Sequence, residues 1–327
     1  MDEDNPFGVL EFLHWAHPWN HNKYTNPEDL LKAIALIRDA GIGWIRMDFL
    51  WEDIQPRNGE SNFSRYDTIV ELVYRSKINI LGILNYTAPW ASSTGKWNAP
   101  PKENKYFVEY AQSVITRYRS QISHWEVWNE PDSSIYWSAQ DGLKGYCVLL
   151  KEVYNAAKAV NPSCTILNGG LANGAPSVRL LYKNGAQEYF DILNIHIFEN
   201  PFYSYAPQAV ASHISLAAEI MGNYDDTGKR IWVTETGCPG IPKGQESTAQ
   251  WWLGENPDEE AQSRWVRTAF ETLFSHVQVE KVFWAFFRDC QDHWHDGIDY
   301  LGLVRGDFSL KPSFEAYKRF IAQFRRI

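Results

Sequence analysis

The feature that most constrains this chain is an alternation that runs from end to end. Eight short runs rich in apolar and β-branched residues are each followed by an amphipathic helical stretch. The runs are Phe7–Phe12, Trp44–Phe49, Asn79–Asn85, His124–Asn129, Thr165–Asn168, Phe190–Phe198, Arg230–Glu235 and Lys281–Phe287. The helical stretches are Pro27–Ala40, Ser64–Ser76, Lys105–Arg119, Leu143–Val160, Val178–Asn184, Pro207–Met221, Asp258–Ser275 and Ser313–Phe324. In the first of these, Asn26 suits the N-cap, Pro27 the first turn, and Glu28 and Asp29 the positive end of the helix. Leu30, Ile34 and Ile37 share one face, and Gly41 suits the stop. The strand runs are nearly continuous in apolar residues, the pattern of parallel strands covered on both faces. Such units predict an α/β fold, and eight of them predict a single closed (β/α)8 (TIM) barrel rather than an open doubly wound sheet.

The 327 residues suit that fold, which needs about 250 plus loop insertions. No Gly/Ser/Pro tract divides the chain and no short repeat is visible, so residues 1–327 are read as one domain. The segments after the seventh and eighth strands, Thr236–Pro257 and Arg288–Pro312, are too long for bare connections. Extended loops at the C-terminal face of a barrel carry function.

Composition removes several classes of function. A formal net charge of -9 argues against nucleic acid as a partner and makes a polyanionic substrate unnatural. No apolar run of about 18 residues is present, so no membrane span is expected. The opening Met-Asp-Glu-Asp-Asn-Pro lacks the basic and apolar regions of a signal peptide, which leaves cytoplasm and secretion (with a trimmed signal) both open. Cys147, Cys164, Cys238 and Cys290 are widely spaced without a CxxC, which reads as buried thiols or one disulfide rather than a zinc cage.

The chain has 15 Trp and 17 Tyr, and many of the tryptophans fall near strand ends: Trp15, Trp19, Trp51, Trp90, Trp97, Trp128, Trp137, Trp284 and Trp294. Some must pack the core. Those in loops suit a cleft that stacks sugar rings on aromatic faces.

The densest chemical signal is His124-Trp-Glu-Val-Trp-Asn-Glu-Pro-Asp132. Pro131 stops the ladder, which puts Glu130 at the C-terminal tip of the fourth strand, where barrels hold their reactive groups. Ile231-Trp-Val-Thr-Glu-Thr-Gly237 ends the seventh strand on Glu235, at the same rim. Two carboxylates there can cleave a glycosidic bond, one as acid and the other as nucleophile or base. Glu126 is a rival carboxylate on the same side of the strand but deeper, and reads as a buried partner for His124 or a neighbouring strand.

Trp128-Asn129-Glu130-Pro131 and Thr234-Glu235-Thr236-Gly237 resemble the acid/base and nucleophile motifs of clan A glycoside hydrolases, whose two glutamates end strands four and seven. The resemblance covers nearly the whole chain, most like family 39 and next family 5. It implies a retaining β-glycoside hydrolase acting on neutral β-linked oligo- or polysaccharides without a cofactor. By the same resemblance, Arg46 orients the nucleophile, Asn129 contacts the sugar 2-hydroxyl, His196 lies near the nucleophile and Trp284 floors the first subsite. An arginine beside Glu235 would favour its ionised form, whereas Glu130 must stay protonated to act as acid. The alternative for Arg46 is an ion pair with Asp48 or Glu52.

His14, His17 and His21 follow the first strand, and Asp289, Asp292, His293, His295 and Asp296 follow the eighth, its neighbour in a closed barrel. They read as a sugar-binding wall; no metal is expected, because no HExxH or HxH stands at a strand end. His14, Trp15, Asn85, Trp90 and Asp289 are the further candidates for substrate contact. Endo action is preferred over exo. A non-catalytic carbohydrate-binding barrel and a transglycosylase using the same two glutamates are the alternatives, and the oligomeric state is open.

Overall fold

The structure is a computed structural model that describes residues 2–21, 23–245, 252, 254–290 and 300–324. Asp292, His293, Trp294, His295 and Asp296 lie outside the described residues.

Eight parallel strands close a barrel in chain order: β1 (Phe7–Leu10), β2 (Trp44–Leu50), β3 (Asn79–Asn85), β4 (His124–Val127), β5 (Thr165–Asn168), β6 (Ile192–Ile197), β7 (Arg230–Thr236) and β8 (Val279–Ala285). The helices outside it are α1 (Pro27–Asp39), α2 (Trp51–Ile54), α3 (Ser64–Arg75), α4 (Asn104–Tyr118), α5 (Leu143–Val160), α6 (Ala175–Lys183), α7 (Ala206–Asn223), α8 (Glu259–Phe274) and α9 (Pro312–Phe324). The alternation thus yields the expected (β/α)8 architecture. The sequence pattern missed α2, because four residues are too few to display a helical period. As expected, the Asn26 side chain accepts from the Glu28 N–H and Pro27 occupies the first turn of α1.

Inside the barrel, side chains stack in layers. Trp44, Leu81, Leu167, Ile192, Trp232 and Phe283 form an apolar floor, and the His124 ring stacks on Trp232 with centroids 5.1 Å apart. Two residues up β2 the inward position is Arg46, and two further up it is Asp48, because strand side chains repeat with a period of two. The interior therefore changes from apolar to ionic towards the C-terminal mouth. Outside, the helices bury their apolar faces against the strands, and Phe7 on β1 meets Phe270 and Phe274 of α8 and Phe320 and Phe324 of α9.

Cys147, Cys164, Cys238 and Cys290 are buried and free, so the thiol reading holds over the disulfide. Among the described residues, no helix is long and apolar enough to cross a membrane.

Candidate active site

Two local departures from regular strand geometry aim the carboxylates at one another. β4 ends at Val127, so Glu130 is not the last rung of the ladder but sits in the turn beyond it. Trp128 at φ 71° and Glu130 at φ 44° both occupy the left-handed region, which costs a non-glycine residue about 1–3 kcal/mol and persists only where surrounding contacts enforce it. Here the Trp128 N–H donates to the Leu84 carbonyl at 2.9 Å and the Glu130 N–H to the Gly170 carbonyl at 3.1 Å. On β7 the register against β6 slips: Val233 pairs with Ile195, but Glu235 pairs with His196. Thr234 is the extra residue of this bulge, so both Thr234 and Glu235 direct their side chains into the barrel.

Arg46 is the hub of the ionic layer. Its Nη1 donates to Glu235 at 2.5 Å, its Nε and Nη2 to Glu126 at 2.7 and 2.8 Å, and Nη2 also to the Asn129 side-chain oxygen at 2.8 Å. The alternative partners Asp48 and Glu52 are thereby replaced by Glu126 and Glu235. Glu126 is indeed a buried partner of a neighbouring strand, but not of His124, whose ring faces the Ser123 hydroxyl. With 0 % exposure and its two oxygens held by Arg46 and the Gly170 N–H, Glu126 has no access to a substrate.

His196 lies between the two rim glutamates. Its Nδ1 is 2.8 Å from Glu130 Oε1, while its Nε2 is 3.1 Å from Thr234 Oγ1 and 3.7 Å from Glu235 Oε1. One ligand atom each from Glu130, His196 and Glu235 lie within 4.8 Å of one another. Burial raises the Glu130 carboxyl to about 8, with the Asp132 charge adding and Arg46 opposing. Burial also raises Glu235 above the ordinary carboxylate value, outweighing the downward pull of His196 and Arg46. Arg46 does favour the ionised form of Glu235, as expected, but desolvation is the larger effect. Burial lowers His196, which favours its neutral form, with the Glu235 charge opposing.

A second polar group stands at the mouth. Asn85, the last residue of β3, donates to Asp48 at 2.6 Å, and the other Asp48 oxygen faces the buried His14 ring at 3.7 Å. Burial raises Asp48 to about 6 and lowers His14 to about 3. Burial raises the hydroxyl of Tyr86, next in the chain, and the Tyr136, Asp48 and Glu130 charges add to that rise. Asp48 was missed as a site residue in its own right. The signal was present, since it lies two residues beyond Arg46 on the same face of the strand.

Four further candidates are placed differently from the expectation. Trp284 is fully buried and its indole N–H donates to the Leu301 carbonyl at 2.9 Å, so it supports the mouth without an open face. Trp15 is buried against Phe12, with ring centroids 3.9 Å apart. Asp289 is buried and accepts from Lys311 Nζ at 2.8 Å and the Gly302 N–H at 2.9 Å, which ties the start of the segment after β8 to its end, just before α9. The Trp90 indole donates to the Gln55 carbonyl at 2.8 Å and packs on Trp51 and Tyr106. Trp284, Asp289 and Trp90 satisfy their polar groups within the loops rather than at the mouth.

Comparison with known proteins gives the same architecture. The family model for cellulase (glycosyl hydrolase family 5) matches residues 4–286, the second of the two families that the motifs resemble. The chain is 27% identical over 119 residues to a chloroplastic beta-glucosidase-like protein, SFR2, of Oryza sativa subsp. japonica, a match covering 33% of the chain and 18% of that protein. It is 28% identical over 118 residues to a phospho-cellobiase of Klebsiella oxytoca, covering 34% and 24%. The chain thus matches less than a quarter of the length of these curated relatives. Among solved structures, a family 39 glycoside hydrolase from the gut symbiont Bacteroides cellulosilyticus WH2 superposes with TM-score 0.73 at 23% identity, over 99% of this chain and 65% of that one.

Proposed function

The chain belongs to the cellulase family, glycosyl hydrolase family 5, and from that premise and the rim geometry we propose that it is a retaining β-glycoside hydrolase with Glu130 as acid/base and Glu235 as nucleophile. The observation that carries this reading is the spacing of the two carboxyls, with an oxygen of each inside a 4.8 Å cluster. Retaining enzymes hold their carboxyls about 5–5.5 Å apart, and inverting enzymes need about 6.5–9.5 Å to admit a water.

In the first step Glu235 attacks the anomeric carbon, the bond from that carbon to the leaving oxygen breaks, and Glu130 gives its proton to that oxygen. In the second, Glu130 takes a proton from water, the water oxygen bonds to the anomeric carbon and Glu235 leaves as carboxylate. The unequal environments suit these roles. Among the described residues no lysine or arginine pairs with Glu130, which is raised to about 8, whereas Glu235 accepts a 2.5 Å charge-assisted bond from Arg46. No step requires a cofactor. Asn129 turns its amide nitrogen away from Arg46 towards a sugar hydroxyl, and Asp48, oriented by Asn85, accepts from another.

The substrate is a neutral β-linked glucan-like chain cleaved internally. Exposed aromatic rings stand on loops around the mouth: Trp19 after β1, Trp97 after β3, and Phe202, Tyr203 and Tyr205 after β6. Rings on several sides of the glutamates suit a chain that extends beyond the cleaved bond in both directions, which is endo action.

A 2-deoxy-2-fluoro-β-glycoside with a dinitrophenolate leaving group tests the assignment, because the fluorine slows the second step and traps the glycosyl-enzyme. Peptide mass mapping should find the sugar on Glu235; a label on any other residue overturns it.

A further inference from the structure

Asn194 and Thr234, buried behind the rim, make a directional hydrogen-bond chain that the mechanism does not use. It begins at a backbone carbonyl, which can only accept. Asn194 Nδ2 donates to the Asn168 carbonyl at 3.2 Å, and this fixes which way the amide points, since the opposite orientation would set two oxygens against each other. The Asn194 N–H and the Asn168 Nδ2 lock the same corner, the former donating to Asn168 Oδ1 at 2.9 Å and the latter to the Asn194 carbonyl at 2.9 Å. Asn194 Oδ1 is therefore the acceptor for the Thr234 hydroxyl, 2.6 Å away. A threonine has one hydroxyl proton, so towards His196, at 3.1 Å, Thr234 can only accept.

The consequence passes through the imidazole. His196 must carry its proton on Nε2, and a neutral ring then presents a lone pair at Nδ1. That lone pair is 2.8 Å from Glu130 Oε1, and a hydrogen bond there requires the proton to be on the glutamate. The nucleophile reinforces the same tautomer, because Nε2 also faces Glu235 Oε1 at 3.7 Å and an N–H suits a carboxylate where a lone pair does not. Asn168, Asn194 and Thr234 are each 0 % exposed, so water does not compete for these donors.

We propose that the Asn194–Thr234 pair, anchored on the Asn168 carbonyl, is a positioning relay that fixes the Nε2–H tautomer of His196 and so keeps the acid proton on Glu130. Thr234 and Asn194 touch no substrate; they act through His196. The charged groups around Glu130 are Arg46 from β2, Glu126 from β4, Asp132 from its own turn and Glu235 from β7, with Tyr86 after β3. Asp132 and Glu126 favour the protonated acid and Arg46 opposes it, while the relay selects it through hydrogen-bond direction. The link to catalysis rests on the reading of Glu130 as the acid, but the tautomer does not.

Two measurements test this separately. Long-range 1H–15N spectra of 15N-histidine-labelled protein distinguish the two tautomers from the nitrogen shifts, with His196→Asn identifying the resonance. His196 should be protonated at Nε2 near pH 7, and protonation at Nδ1 would sink the relay whatever the enzyme cleaves. The second measurement is the pH profile of kcat/KM. In Thr234→Val the acceptor is lost, the ring can turn its proton to Nδ1 and donate to a Glu130 carboxylate, and the ionised form of the acid gains. The basic limb should then move to lower pH by about one unit, while Thr234→Ser keeps the wild-type limb. An unmoved limb in Thr234→Val, with the expected tautomer in the wild type, rejects the coupling of the relay to the acid. If Glu130→Gln retains full activity, the acid assignment fails and the tautomer result still stands by itself.

Discussion

Arg46 holds Glu126 with two donors, at 2.7 and 2.8 Å, and holds Glu235 with one, at 2.5 Å. The deeper and fully buried glutamate thus takes the fork of the guanidinium, while the rim glutamate takes a single donor and retains an oxygen for chemistry. Glu126 makes the arginine rigid, and the rigid arginine orients Glu235.

Arg46→Met removes this hub and leaves the Glu126 charge buried without a partner. Breaking a buried ion pair from one side costs about 3–5 kcal/mol, and denaturant unfolding should show a loss of that order. Hydrolysis should fall further than folding does, because Glu235 also loses the cation that orients it. Arg46→Lys keeps the charge but cannot supply the fork to Glu126, so it should be intermediate in stability and close to Arg46→Met in activity.

The buried acid has a cost that pH reveals. Glu130 is raised from 4.5 to about 8, so between those values the folded protein binds more protons than the unfolded chain, and stability falls as pH rises through that window. Glu130→Gln is neutral at every pH and should be free of this loss. Its thermal midpoint relative to wild type should be higher at pH 8 than at pH 4, as followed by calorimetry. The same substitution should abolish the basic limb of the kcat/KM profile and leave the acidic limb, which belongs to Glu235 and lies above the ordinary carboxylate range. An equal midpoint difference at both pH values would contradict the raised acid.

How far the chain could be read before its structure follows from what a linear pattern records. β3, β5 and α5 fall on the expected residues because their boundaries coincide with abrupt changes of hydrophobicity. β4, which leads into the Glu130 turn, and β7, which carries Glu235, were found in the right places but without their local geometry. A left-handed Trp128 and Glu130, and a bulge at Thr234, leave no mark in hydrophobic period. Pro131 was a sound marker that the ladder stops, although pairing had already stopped at Val127. Arg46, Asn129 and His196 do converge on Glu130 and Glu235. Trp15, Trp284 and Asp289 were misread for one reason: burial depends on what the long loops after β1 and β8 fold back against, and that is tertiary information.

Gly170 should tolerate no side chain. A Cβ there would overlap the His196 ring, and the backbone N–H of the same residue is fixed on Glu126 at 2.9 Å, so the chain cannot withdraw. Gly170→Ala should displace His196 from Glu130 and lower kcat/KM by about 10²-fold, the scale expected of a 1 Å misplacement in an active site. The cost in stability should be about 1–3 kcal/mol, as for other overpacked cores. Its diagnostic effect is a change in the His196 15N shifts at unchanged Glu235 labelling chemistry. An alanine variant with wild-type spectra and rates would show that the ring has room this structure does not give it.

The aromatic rings around the mouth separate chain-interior cleavage from removal of terminal sugars. Trp97 is 38% exposed and packs its edge on Tyr86, with centroids 4.7 Å apart; Tyr86 in turn packs on Trp128, in the turn that carries Glu130, with centroids 5.6 Å apart, so Trp97 lies on the side of the acid. Tyr205 is 58% exposed and stacks on Tyr203 at 5.2 Å, on the loop after β6. Among the described residues neither ring stacks on or hydrogen-bonds to Arg46, Glu235 or the relay, so removing either should leave the chemistry of a small aryl glycoside intact. A stacked ring contributes about 0.5–1.5 kcal/mol beyond its area. Trp97→Ala should therefore raise KM on a soluble β-glucan by about 3- to 10-fold with kcat little changed, and Trp97→Ala/Tyr205→Ala should be near the product of the two single effects, since the loops are separate. Product sizing decides the mode. Rapid loss of viscosity with few new reducing ends marks internal cleavage, whereas a single small sugar released from the first minutes would place the enzyme among exo-acting glycosidases and leave Trp97 and Tyr205 without a role in binding.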